Sequence, residues 1–136
     1  MLSPTLDTVR LFLHALAAAV WVGGQITLAG LVPTVRRDAP QMLKPVARAF
    51  ARLAWPAFVV LVATGAWNLA AVDVASTSTS YQVTVLVKVL VSVAAGAATA
   101  VHSIGRTRLA LAVGGALGLV CSLTAMFLGL LLQRGG

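Results

Sequence analysis

The chain has 136 residues, 60% of them hydrophobic and only 10% charged, with a net charge of +7. A soluble domain carries about a quarter charged residues, so the composition excludes an ordinary soluble fold and points to a membrane protein. The basic residues gather in two connections between apolar runs, which argues for contact with anionic lipid and against a nucleic-acid role.

Four apolar runs cover residues 11–32, 56–72, 83–101 and 109–132. Each is near the roughly 20 residues that a helix needs to cross about 30 Å of hydrocarbon. Backbone groups in lipid must bond within their own segment, and the runs lack the alternation of barrel strands. The expected fold class is therefore all-α integral membrane, a single domain folded as a four-transmembrane-helix bundle. Its helices are expected over residues 8–33, 46–72, 81–103 and 108–133.

Thr5 or Asp7 can cap the first helix, and Pro33 limits its continuation as a straight rod. Its apolar part exceeds the 7–15 residues of a signal-peptide core and only Arg10 precedes it, so it reads as a retained helix. The segment VRRDAP reads as a short polar loop. In QMLKPVARAFARLAW, Lys44, Arg48 and Arg52 recur at steps of four, which places three cations on one helical stripe. This segment reads as an interfacial lead-in to the second span, with Pro56 at the junction. STSTSYQ reads as a flexible external loop, and HSIGRTR as a tight turn between the last two helices. In the fourth helix Gly114, Gly118 and Ser122 form a small-xxx-small stripe, suited to packing within the bundle or to a homodimer through the Gly114/Gly118 face. Cys121 is alone in that helix, so no disulfide framework is expected.

Arg36, Arg37, Lys44, Arg48 and Arg52 lie between the first two runs, and Arg106 and Arg108 between the last two. The middle connection has one acid, Asp73, and no basic residue. The positive-inside rule then puts both termini outside, with Arg10 and Arg134 as weak dissenters.

An ionisable residue in a spanning helix is costly and is a functional candidate by default. His14, Ala18, Trp21 and Gln25 share one stripe of the first helix, which should face the bundle. On the third helix Tyr81, Thr84, Lys88, Ser92, Ala95, Thr99 and His102 form a polar seam. With the expected topology, His14 and Lys88 reach similar depth in the outer half, with Asn68 and Met126 at a comparable level. His102 lies about 21 Å along the axis from Lys88 and reads as structural. The competing readings are a hydrogen-bonded core histidine for His14 and a snorkelling lysine for Lys88. Trp55 and Trp67 fit interfacial belts.

No carboxylate falls inside the apolar runs, which disfavours acid/base hydrolysis and an acidic proton relay. No Ser-His-Asp set, phosphate loop or zinc spacing appears. Neutral imidazole binds haem iron or copper, an unprotonated lysine can ligate iron, and Cys or Met sulfur suits Cu(I). Cys121 and Met126 are five residues apart and so on different faces, which favours a porphyrin over a copper conduit.

HALAAAVWVGGQ, RAFARLAWPAFVVLVATGAWN and VLVKVLVSV together resemble the copper-resistance CopD domain family of bacterial inner-membrane proteins. The likeness spans essentially the whole chain and rests on His14, Trp21 to Gly24, Arg48 to Arg52, Thr64-Gly65 and Lys88. The related HemJ group, implicated in protoporphyrinogen oxidation and haem binding, is similar in its early intramembrane histidine and third-helix lysine. That resemblance implies haem ligation, with His14 and Lys88 as metal ligands. Larger CopD proteins have more spanning helices, and this chain lacks the methionine-rich segments that would support copper handling.

The expected function is a b-type haem held in the outer half of the membrane for electron transfer or haem handling, with an unidentified redox partner. His14 is the ligand, Lys88 the second ligand or the partner of a propionate, and Trp21, Gln25, Asn68 and Met126 line the site. The rival readings are copper transport, a porphyrinogen-oxidising enzyme, and an accessory subunit of a larger membrane complex.

Overall fold

The computed structural model describes residues 3–135, and among them every regular element is helical. Four helices are long and apolar enough to cross a membrane: Leu6–Asp38, Pro40–Ala70, Thr79–Ile104 and Arg108–Arg134. Their outward faces are oily. Phe12, Val59, Leu86, Leu90, Phe127 and Leu130 are all exposed, an arrangement that water would penalise and lipid tails would not. The chain divides into two compact units, Met1–Val72 and Asp73–Gly136.

The first unit begins at Thr5. Its hydroxyl accepts the Thr8 N–H at 3.2 Å, and its own N–H donates to the Thr8 hydroxyl at 3.4 Å. This reciprocal capping box uses Thr8 in place of the usual Glu or Gln. Helix α1, Leu6–Ala18, passes through a π-helical turn, Ala19–Gly23, into α2, Gly24–Asp38. The 33-residue rod is about 50 Å long at 1.5 Å per residue.

The polar loop expected at VRRDAP is for the most part helix. Pro33 lies inside α2, which continues to Asp38. One proline removes one hydrogen bond, and Arg36 and Arg37 in the last turn favour the negative end of the helix dipole. The reversal is confined to Ala39 and a 3-10 turn, Pro40–Met42. Helix α3 then runs unbroken over Leu43–Ala70 with Pro56 inside it, so the expected lead-in and the second span are one helix. Lys44, Arg48 and Arg52 are exposed along it. The basic residues between the first two spans thus sit mainly on helical overhangs.

The second unit is a helical hairpin. The serine/threonine segment before it, expected to be a flexible loop, is held by its own side chains. A 3-10 turn covers Val74–Ser76, the Ser76 and Thr77 hydroxyls donate to the Asp73 and Val74 carbonyls, and the Gln82 amide donates to the Thr77 carbonyl at 3.0 Å. Ser78 caps α4, Thr79–Ile104, by accepting the Tyr81 N–H. Thr107 caps α5, Arg108–Arg134, by accepting the Ala110 N–H.

Gly114, Gly118 and Ser122 are buried, and the two glycines face α4. A Cβ on Gly114 would lie 2.8 Å from the His102 backbone nitrogen and 2.9 Å from the Ala98 carbonyl oxygen. The small residues therefore bring two backbones together within the chain. A homodimer through the same face would have to displace α4.

Candidate functional site

The first unit gathers the polar residues of α1 and α3 at one end of the pair. His14 is half-buried on α1, with Nδ1 2.8 Å from the hydroxyl of Thr64 on α3. Thr64 is buried, and its hydroxyl donates to the Val60 carbonyl at 2.7 Å, sharing that proton with Leu61 at 3.2 Å. A threonine hydroxyl has one proton. With that proton committed to the backbone, the oxygen accepts, and His14 Nδ1–H donates. In the neutral ring Nε2 is then the nitrogen that carries the lone pair. Gly65 brings the α3 backbone alongside the ring: a Cβ there would sit 3.5 Å from His14 Cε1.

Farther along the pair the contacts turn aromatic. Trp21, in the π-helical turn, is the largest fully buried side chain, at 1% exposure. Its ring centroid lies 4.5 Å from that of Phe58 and 5.7 Å from that of Trp55. Val22 and Ala54 complete this core, with Phe50 and Leu61 against it. A side chain on Gly24 would collide with the Phe50 ring. As residue numbers rise from His14 through Trp21 to Gly24, their partners on α3 fall from Thr64 through Trp55 to Phe50, so the helices run antiparallel. Gln25 is half-buried one residue past that contact. Trp55 packs edge-on against both Trp21 and Phe58.

Two further polar groups lie at the histidine end. Arg10, one turn before His14, is only 9% exposed, and its Nε has no hydrogen-bond partner among the described residues. Asn68, one turn past Thr64, likewise has a buried, unpartnered Oδ1. Antiparallel pairing carries Arg10 and Asn68 in the same direction from the His14–Thr64 bond. The sequence reading gave Arg10 only a topological role. Its four-residue spacing from His14 was the available signal.

The second unit holds the other expected residues. The polar seam of α4 faces α5. Lys88 Nζ lies 3.1 Å from where a Gly129 Cβ would stand, Thr99 is against Gly118, and the His102 ring is against Gly115. Thr84 and Ser92 donate to carbonyls of their own helix, at Ser80 and Lys88. His102 is exposed, with Nδ1 2.5 Å from the Leu111 carbonyl oxygen. That contact joins the end of α4 to the start of α5. Met126 is 44% exposed, and Cys121 is a free thiol. His14, Trp21, Gln25 and Asn68 thus belong to the first unit, and Lys88 and Met126 to the second.

Among the described residues, no three of His, Cys, Asp and Glu come together in a group that could hold a metal ion. In comparisons with known proteins, no family model matches the chain, and neither a curated protein nor a solved structure matches it.

Proposed function

We propose that this is a four-span protein of a bacterial inner membrane that binds a b-type haem through His14, with both termini outside, and serves electron transfer or haem handling. The observation that carries the reading is the His14–Thr64 hydrogen bond. Metal-ligating histidines characteristically donate their second ring N–H to an oxygen, which fixes ring orientation and tautomer and raises ligand basicity. Here the oxygen is the Thr64 hydroxyl, which is left to accept because its own proton is spent on the Val60 carbonyl.

The donor set suits a porphyrin better than a bare ion. Haem brings four nitrogen ligands of its own and asks the protein for one or two more. A bare copper site needs its donors from the protein, and His14 has no such cluster around it among the described residues. When bound, haem would supply one-electron redox chemistry. The chain would supply the His14 imidazole as an iron ligand, the Thr64 hydroxyl that orients it and, farther along the pair, the apolar Trp21 ring. The resemblance of His14, Trp21 to Gly24 and Thr64-Gly65 to the CopD family, and of the early histidine and third-helix lysine to the HemJ group, supports the same reading.

The test is an absorption spectrum of protein purified in mild detergent after haem-replete expression. The reading expects a Soret band with α and β bands that sharpen on reduction. A colourless protein would overturn it.

A further inference from the structure

A guanidinium is charged at every accessible pH, and burying it is costly unless it is paired and hydrogen-bonded. Arg10 is buried to 9% exposure, yet among the described residues its one ion pair runs from a terminal nitrogen to Asp7 at 3.2 Å, and Asp7 is itself 74% exposed. Among the described residues, the buried Nε has nothing to donate to. Native structures pair most such groups, so an orphaned buried donor on a fixed cation marks a place where an acceptor is expected. Asn68 repeats the pattern on the facing helix with an orphaned Oδ1. Both groups lie one helical turn from the His14–Thr64 bond, on the same side of it.

From this we infer that Arg10 is the binding residue for a carboxylate of the ligand, and that this end of the α1–α3 pair is a carboxylate subsite. The inference rests on the haem reading, in which the carboxylate is a porphyrin propionate. A carboxylate is acceptor-only and matches the Arg10 Nε–H. A water accompanying it would donate to Asn68 Oδ1. The spacing also suits one ligand: Arg10 and His14 are four residues apart, hence neighbours on one face of α1. A propionate held at Arg10 would fix which edge of the porphyrin points toward the start of the helix.

The experiment titrates purified, haem-free protein with ferric haem b and, separately, with its dimethyl ester, in which both carboxylates are masked. Binding is read from the Soret shift. Wild type is expected to prefer the free acid by about tenfold or more, the scale of one charge-assisted hydrogen bond. Arg10→Gln is expected to abolish that preference, lowering the affinity for the free acid by more than that for the ester. Arg10→Lys, which keeps the charge but lacks Nε–H, should retain part of the preference and serves if the glutamine variant does not fold. Equal binding of acid and ester by wild type, or an undiminished preference in Arg10→Gln, would overturn the carboxylate subsite and leave the haem reading standing. Failure of wild type to bind either porphyrin would overturn both.

Discussion

His14 and Thr64, fifty residues apart in sequence, are joined by a 2.8 Å hydrogen bond in which the imidazole Nδ1–H donates to a hydroxyl already committed to its own helix. That relationship fixes the orientation of the one histidine near the start of the chain, and it yields the first prediction. Thr64→Val keeps the shape and removes the acceptor. Haem affinity is expected to fall about 10–100-fold, the usual effect of losing the group that orients a metal-bound histidine. Thr64→Ser should stay near wild type. Equal affinity of the valine variant in the same titration would remove Thr64 from the account.

Glycines in this chain divide by what surrounds them. Gly114→Ala places a methyl group against the backbone of α4, which cannot yield without separating the hairpin. Stability should drop by about 1–3 kcal/mol. Gly30 has nothing within 4 Å of its would-be Cβ, so Gly30→Ala should raise stability by about 0.5–1 kcal/mol through helix propensity. Thermal unfolding in one detergent, followed by circular dichroism, compares the two.

Trp21 anchors the first unit. Trp21→Ala would remove the ring that touches both Trp55 and Phe58. The expected loss is about 3–5 kcal/mol, the range for a buried aromatic truncated to alanine. Trp67→Ala, at 45% exposure, should cost far less. The difference in unfolding midpoint between these variants is the readout.

The proposed orientation in the membrane rests on the basic overhangs. In a Cys121→Ser background, Ala75→Cys should react with a membrane-impermeant maleimide on intact cells. Gln41→Cys, beside Lys44 and the arginines of α2, should react only after permeabilisation. The reverse pattern would contradict a topology with both termini outside.

The number and kind of helices were legible in the sequence because about 20 apolar residues in lipid leave the backbone no other structure. The helix ends were less so. Val35 to Asp38 look like a loop by polarity, yet a polar helix overhang is equally soluble, and composition does not separate the two. The Gly114-Gly118-Ser122 stripe was legible as a packing face, but its partner was not, since small residues specify closeness and not identity. His14 stood out because it is ionisable among apolar neighbours. Its bond to Thr64 did not, because it depends on the register of two helices fifty residues apart. The π-helical turn under Trp21 left no periodic signature. Arg10 was hidden by its position: a basic residue near the start of a span is ordinarily a topology signal, and only burial distinguishes this one.

The most direct test is a reduced-minus-oxidised difference spectrum of the purified protein, recorded for wild type, His14→Ala and His102→Ala. The account predicts reducible α and Soret features in wild type, kept in His102→Ala and lost in His14→Ala. Unchanged features in His14→Ala, or none in wild type, would contradict it.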